Sequence, residues 1–189
     1  AELQKVIEPF PHIRGENGVV SDSCTGATVG FHAPSEAFFE ENKDAMIRTG
    51  LVSTLSRFVP CNSPELIIAM LRLVFNLSFD AVARDRMVKA SYIPKLVGLL
   101  KANHKFREVS IRILYHLSVD DRCKSMFAYT EAIPIVMQLV IKFPPNRKLT
   151  RELAALAGNL SLNPRNAELM CANKGLAALV ARVERPHAS

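Results

Sequence analysis

The sequence predicts an all-α protein made of stacked short repeats, preceded by a mostly irregular N-terminal segment. Three observations support this fold class. From Glu36 onward, apolar residues recur at helical spacing. Prolines 64, 94, 134 and 164 stand where helices can begin, because the first helical turn does not need their missing N–H. Finally, similar segments recur at intervals of 40 to 43 residues.

Residues 1–36 differ in composition from the rest. They hold four of the eight glycines, within "RGENGVVSDSCTGATVG", and five acidic against two basic residues. No helical or alternating apolar pattern persists there, which favours an irregular or disordered leader. The stretches "GVV" and "ATVGF" leave a weak strand pair open as an alternative. Residues 185–189 are predicted to form a short tail.

The recurring segments align without gaps. They are "LRLVFNLSFD" (71–80), "IRILYHLSVD" (111–120) and "AALAGNLSLN" (154–163). A period of this length with three helices per unit is typical of an armadillo-type right-handed superhelical solenoid. The alignment places Asn76, His116 and Asn159 in one column, and Ser78, Ser118 and Ser161 in another. The predicted repeats are 37–78, 80–118, 120–161 and an incomplete unit at 164–184.

Each repeat is expected to contain a short first helix, a second helix after an Ile-Pro or Gly-Leu corner, and a long third helix. Such a unit has too little apolar surface facing itself to fold alone, so it must stack on its neighbours. Leu73, Ile113 and Leu156 are expected to form one continuous core. Gly158 stands in a column of aromatic residues, so either the third repeat is softer or a neighbour supplies a bulky filler. The predicted helices are 80–91, 120–131 and 164–174 (first), 93–101, 133–142 and 176–183 (second), and 64–78, 105–118 and 147–161 (third).

The last predicted repeat ends before any third helix, so Leu176, Leu179, Val180 and Val183 should lack full cover. We expect marginal stability or self-association from this exposed apolar surface.

The stretch "ILYHLSVDD" (113–121) contains the side-chain types of a hydrolytic triad. The repeat accounts for them instead, since His116 stands where sister repeats carry asparagine and Ser118 belongs to a repeat column. These two side chains point about 200° apart on a helix, whereas a triad converges on one point. The four cysteines, at 24, 61, 123 and 171, form no Cys-x-x-Cys pair. We therefore predict no catalytic residue, no metal site and no cofactor.

Charge and hydropathy limit the classes of partner. The chain carries a formal charge of +6, and residues 37–189 hold 22 basic against 13 acidic residues. A basic body attracts acidic partners. Nucleic-acid binding is the weaker alternative, because aromatic residues do not interleave with the basic ones and no RNA-binding signature is present. No window approaches 18 uninterrupted apolar residues, so direct membrane insertion is not expected.

Several segments resemble one family closely. They are "FEENKDAMIRTGLV" (39–52), "LRLVFNLSFD" (71–80), "RMVKASYIPKLVGLL" (86–100), "LYHLSVDDRCKSMFAYTEAIP" (114–134) and "NPRNAELMCANKGL" (163–176). Residues 37–183 look like the armadillo region of the kinesin-associated proteins, the non-motor accessory subunits of heterotrimeric kinesin-II. The resemblance does not extend to residues 1–36.

The resemblance implies a non-catalytic adaptor that binds the tails of kinesin-II motor subunits and links the motor to cargo proteins. It also implies a cytoplasmic, microtubule-associated location, including the cilium or flagellum, with a role in intraflagellar transport. The alternative is another armadillo adaptor, of the catenin-like or import type. Import adaptors carry a tryptophan ladder, and this chain contains no tryptophan.

In armadillo folds the third helices line the concave groove, so polar residues on these helices are the candidate partner-binding site. Asparagine can bond both groups of a peptide backbone, and arginine suits carboxylates. The alternative is that the asparagines satisfy local backbone groups, that His116 is a satisfied substitute for asparagine, and that the arginines are solvated. The candidate strip consists of Arg72, Asn76, Arg112, His116, Arg151 and Asn159.

Overall fold

A computed structural model of the protein describes residues 36–59, 61–102, 104–144 and 149–184. Over these ranges the chain is helical and has no strand, which confirms the all-α prediction. The predicted leader, apart from Glu36, and the predicted tail lie outside the described residues. The chain divides into two compact units, Ala1–Thr49 and Gly50–Ser189.

Helix α1 (Glu36–Arg48) is the described helix of the first unit. Its last turn carries the basic residue Arg48, which interacts favourably with the negative end of the helix dipole. The Thr49 hydroxyl donates to the carbonyl of Met46 at 3.2 Å, and this bond helps to close the helix end. Gly50 follows with φ 76°, a left-handed conformation that glycine adopts without strain.

The described part of the second unit is a succession of helices. The helices are α2 (Leu51–Ser56), α3 (Pro64–Leu77), α4 (Ala81–Lys89), α5 (Tyr92–Ala102), α6 (His104–Val119), α7 (Asp121–Ser125), α8 (Ala132–Ile141), α9 (Arg151–Ser161), α10 (Pro164–Cys171) and α11 (Gly175–Glu184). Short 3-10 turns, Met126–Tyr129 and Ala172–Lys174, follow α7 and α10. From α4 onward, consecutive elements of the chain pack against each other, whereas α2 packs against α4 and α3 against α6. This confirms the predicted all-α solenoid, while its armadillo form and right-handed turn stay predictions from the sequence.

One column of the repeat alignment supplies the N-cap of the first helix in three successive repeats. The side chains of Asp80, Asp120 and Asn163 are the N-caps of α4, α7 and α10. Asp80 accepts from the N–H of Ala83 at 2.8 Å, which satisfies a donor that has no partner inside the helix. The aspartate or asparagine two residues after the Leu-Ser pair is therefore a helix start signal.

The long helices α3, α6 and α9 form the centre of the stack, with α6 packed against both others. Ile113 and Leu156 are fully buried, as expected from the repeat alignment, but Leu73 is only half-buried. In α3 the fully buried residues are instead Leu71 and Val74. Full burial of one such side chain contributes roughly 1.5–3 kcal/mol to stability.

Hydrogen bonds that span one repeat period join the repeats. The Tyr92 hydroxyl donates to the carbonyl of Val52, 40 residues earlier, at 2.9 Å. The amide of Asn166 donates to the carbonyl of Lys124, 42 residues earlier, at 3.0 Å. Both Tyr92 and Asn166 are fully buried, so these bonds satisfy polar groups that water does not reach.

Two glycines of the last repeats have opposite surroundings. A Cβ on Gly158 would meet nothing within 4 Å, so the expected bulky filler from a neighbouring repeat is absent at this position; the alternative, a softer third repeat, stays a prediction. The residue lies on the exposed face of α9, where the missing side chain leaves no cavity to fill. By contrast, a Cβ on Gly175 would lie 2.0 Å from the carbonyl oxygen of Met170. Gly175 thus permits the close approach of α10 and α11.

Part of the apolar surface expected on the last repeat is present among the described side chains, and the side chain of Val183 lies outside them. Leu176 and Val180 are 57% and 45% exposed, and Leu179 is half-buried. Leu162 at the end of α9 is also 73% exposed. The self-association expected from this surface stays a prediction.

Candidate functional site

The column that contains His116 meets the serine column of the preceding repeat. His116 Nδ1 lies 2.6 Å from Oγ of Ser78, 38 residues earlier. That hydroxyl also lies 2.6 Å from the carbonyl oxygen of Phe75. A hydroxyl has one proton, and a carbonyl oxygen only accepts, so Ser78 donates to Phe75 and accepts from the Nδ1–H of His116.

The next junction has the same arrangement with asparagine in place of histidine. Asn159 Nδ2 donates to Oγ of Ser118 at 3.1 Å, across 41 residues. Ser118 in turn donates to the carbonyl of Tyr115 at 2.7 Å. His116 and Asn159 therefore supply the same group, an N–H donor, to the serine of the preceding repeat. This explains why a histidine can stand in an asparagine column.

Aromatic rings and a guanidinium surround the imidazole of His116. Phe75 stacks on it with ring centroids 5.2 Å apart, and Phe79 lies edge-on at 4.4 Å. Arg84 donates to the carbonyls of Ser78 and Phe79 at 3.0 and 2.9 Å. These bonds give a partner to two carbonyl oxygens just after the C-terminal end of α3. Burial, and to a smaller degree the charge of Arg84, lowers the pKa of His116. The lowered pKa favours the neutral imidazole, which packs against Phe75 and Phe79.

These contacts do not form the activated pair of a hydrolase. His116 meets Ser78 and not Ser118, and the proton of the Ser78 hydroxyl goes to a backbone carbonyl. A nucleophilic serine needs its proton directed to a base. Burial also raises the pKa of the Cys123 thiol, and a protonated thiol is a weak nucleophile.

The arginines of the candidate strip differ in their partners. Arg112 pairs with Glu108 at 2.6 Å and reaches Glu152 on α9 at 3.6 Å. Arg72 and Arg151 are exposed and form no ion pair with any other described residue. Arg112 is therefore held by ion pairs at the junction between α6 and α9, whereas the guanidinium groups of Arg72 and Arg151 have no acidic partner among the described residues.

The strip residues share three successive long helices but not one geometry. Arg72 and Arg112 each lie four residues before the asparagine or histidine column, about 6 Å along the helix axis. Arg151 lies eight residues before Asn159, at the first residue of α9, so it stands about 12 Å away along the axis. Asn76 is half-buried and has no hydrogen bond to another described residue.

Sequence reasoning missed an open groove between the second and third helices of two repeats. We call it the inter-repeat groove; α5, α6, α8 and the start of α9 line it, and its volume is about 700 Å³. Arg112 is the one strip residue on its wall. The other lining residues belong to different repeat columns, and column alignment gives no signal for a surface that several helices build together.

A second missed surface is a column of apolar residues directly after the serine column. Phe79, Val119 and Leu162 are 61%, 54% and 73% exposed, although most apolar residues of the long helices are buried. The signal was present in the aligned segments, since this position is apolar in each one. None of the described helices is long and apolar enough to cross a membrane.

Comparison with known protein families gives a match to one family over residues 32–186, which is more than four fifths of the chain. The matched family is described as kinesin-associated protein. The match includes all the described helices and all six residues of the candidate strip. The chain belongs to the kinesin-associated protein family.

Proposed function

We propose that this chain is part of a non-catalytic adaptor that binds the tails of the kinesin-II motor subunits and links the motor to cargo. The family match over residues 32–186 is the observation that carries the proposal. A stack of short helices supports it, because repeats of this kind present extended surfaces to partner proteins. We place this activity in the cytoplasm along microtubules, including transport in cilia or flagella.

For the partner-binding surface we propose the strip Arg72, Asn76, Arg112, His116, Arg151 and Asn159. The first contacts with the motor tail would come from the strip side chains that have no hydrogen bond or ion pair to another described residue, namely Arg72, Asn76 and Arg151. His116 and Asn159 would act mainly by holding successive long helices in register, since their donors are bonded to Ser78 and Ser118. Arg112 would contribute to a partner only by leaving Glu108 or Glu152.

A pull-down tests the proposal, with the purified tail regions of a kinesin-II heterodimer as the probe. We expect the wild-type chain to retain both motor chains, and the double variant Arg72→Glu/Arg151→Glu to retain much less of them. The control is Arg48→Glu/Arg57→Glu, which makes the same change in net charge at exposed positions outside the strip. No retention by the wild-type chain would overturn the adaptor proposal. Equal retention by both variants would exclude the strip as the binding surface for the motor tails, and the adaptor proposal would still stand.

A further inference from the structure

We propose that the inter-repeat groove is a docking site for an acidic segment of a partner protein, one that combines carboxylates with apolar side chains. The groove differs from the strip, and it is argued from its own floor, rim and charge. The inference rests on the proposed function only for the source of the segment, a motor tail or a cargo protein.

The floor of the groove is apolar. Leu100, Ile111 and Leu153 reach it from three helices and are almost fully buried. Ile135 and Leu139 on α8 are half-buried, so part of their apolar surface faces the open side. A segment with apolar side chains would remove this surface from water, at a gain of roughly 25 cal/mol per Å². The volume of about 700 Å³ lies in the range of protein sites that hold a ligand.

The rim of the groove is basic. Four cationic side chains, Lys101, Arg107, Arg112 and Lys142, line it together with two acidic ones, Glu108 and Glu152. Both acids are already committed to Arg112 by ion pairs. The rim therefore has more positive charge than its own carboxylates neutralise.

Two of the cations have no partner in the described parts of the chain. Arg107 and Lys142 form no ion pair there, and the buried Nε of Arg107 has no hydrogen-bond acceptor. Lys101, by contrast, pairs with Glu131. Arg107 lies on α6, and Lys142 is the residue that follows α8. Carboxylates bound between them would therefore meet positive charge from two sides.

The combination of floor and rim selects among partners. A basic peptide would meet the same charge as its own, which costs binding energy. A nucleic-acid backbone would satisfy the rim but would leave the apolar floor uncovered. An acidic segment with leucine-like side chains satisfies both surfaces, so we commit to that chemistry.

The test titrates the whole chain with defined peptides, followed by fluorescence anisotropy. The probe is a labelled synthetic peptide with glutamates and leucines in a Gly/Ser background, beside one with lysine for glutamate and one with serine for leucine. We expect the glutamate–leucine peptide to bind at least about tenfold more tightly than either counterpart. Its affinity should fall as salt is added, since rim charges are screened. Binding should slow amide exchange in 107–112 and 135–142.

The variant Arg107→Glu/Lys142→Glu should weaken binding of the glutamate–leucine peptide by at least about tenfold. Arg107→Gln/Lys142→Gln should give an intermediate loss, and it keeps the test valid if charge reversal disturbs folding. Arg48→Glu/Arg57→Glu should bind as the wild type does. Equal binding by wild type and both groove variants, absence of binding, or tighter binding of an oligouridylate would overturn the inference.

Binding of the purified kinesin-II tails to the same variants is measured in a separate experiment. Loss of the tails from Arg107→Glu/Lys142→Glu would identify the motor as the source of the acidic segment. Retention of the tails together with loss of the peptide would support the groove and assign it to cargo. Failure of the tails to bind the wild-type chain would overturn the proposed function and not the peptide result.

Discussion

His116 Nδ1 and Ser78 Oγ lie 2.6 Å apart, and this contact joins two successive repeats through a neutral imidazole. The serine proton is used by the carbonyl of Phe75, so the imidazole must donate. Burial and the charge of Arg84 both disfavour the imidazolium and lower its pKa. The junction therefore has a pH dependence that the asparagine junction, Ser118–Asn159, does not have.

The first prediction concerns His116→Asn. The variant keeps the donor to Ser78 but loses the ring contacts with Phe75 and Phe79, so we expect it to be about 0.5–1.5 kcal/mol less stable near neutral pH. The folded pKa of His116 is lower than the unfolded value, so the unfolded state binds more protons as pH falls through about 6.5. Wild-type stability should decrease in that window, and this part of the decrease should be absent in His116→Asn. Urea unfolding between about pH 8 and pH 5 measures both curves.

Two further variants complete this test. Asn159→His should introduce a similar pH dependence into the second junction if burial there disfavours the charged ring. His116→Leu removes the donor altogether and should be less stable than His116→Asn at every pH, because the Ser78 oxygen loses its partner. Parallel pH curves for the wild type and His116→Asn would show that the histidine is not held neutral.

The sequence was sufficient to predict the repeat and its columns, but it did not predict which residues of different columns contact each other. Alignment placed Asn76, His116 and Asn159 at equivalent positions and identified the serines beside them. That Ser78 bonds His116, and not a residue of its own repeat, depends on the packing register of α3 against α6. This register is set by interdigitation of side chains 38 residues apart, which periodicity does not encode.

The candidate site shows the same limit. The pairing of Arg112 with Glu108 is readable from sequence, since residues four apart share a helix face. The pairing with Glu152 is not, because it joins α6 to α9. The inter-repeat groove escaped prediction because its basic and apolar residues come from four helices and share no column.

The second prediction contrasts two glycines. Gly158→Ala should stabilise the protein by about 0.5–1 kcal/mol, because the position is helical and open and alanine has the better helix propensity. Gly175→Ala should destabilise it by about 1–3 kcal/mol, because the new Cβ would overlap the carbonyl oxygen of Met170. Thermal and urea unfolding of the two variants beside the wild type measure both signs. A loss of stability in Gly158→Ala would contradict the open surroundings described for it.

The third prediction concerns strained backbone at the corner between first and second helices. Ser91 has φ 60° and Lys174 has φ 63°, values that cost a residue with a Cβ roughly 1–2 kcal/mol. Ser91→Gly should relieve this strain, although glycine also increases the entropy of the unfolded chain, so we expect a net gain of up to about 1 kcal/mol. Ser91→Ala is the matched control, since it removes the hydroxyl but keeps the Cβ. The free energies of unfolding should rank Ser91→Gly above Ser91→Ala, and the reverse order would argue against a left-handed residue at this corner.

The last prediction concerns the bond between Tyr92 and Val52, which joins α5 to α2 across 40 residues. Tyr92 is fully buried, and burial raises its pKa above the usual range, so its hydroxyl is a protonated donor at neutral pH. Tyr92→Phe should cost about 0.5–1.5 kcal/mol, since it removes the bond but keeps the ring. Tyr129→Phe changes a side chain that is 83% exposed, and it should leave the free energy of unfolding unchanged. Equal unfolding curves for the two variants would mean that this bond contributes nothing to the stacking of α2 on the repeat that follows.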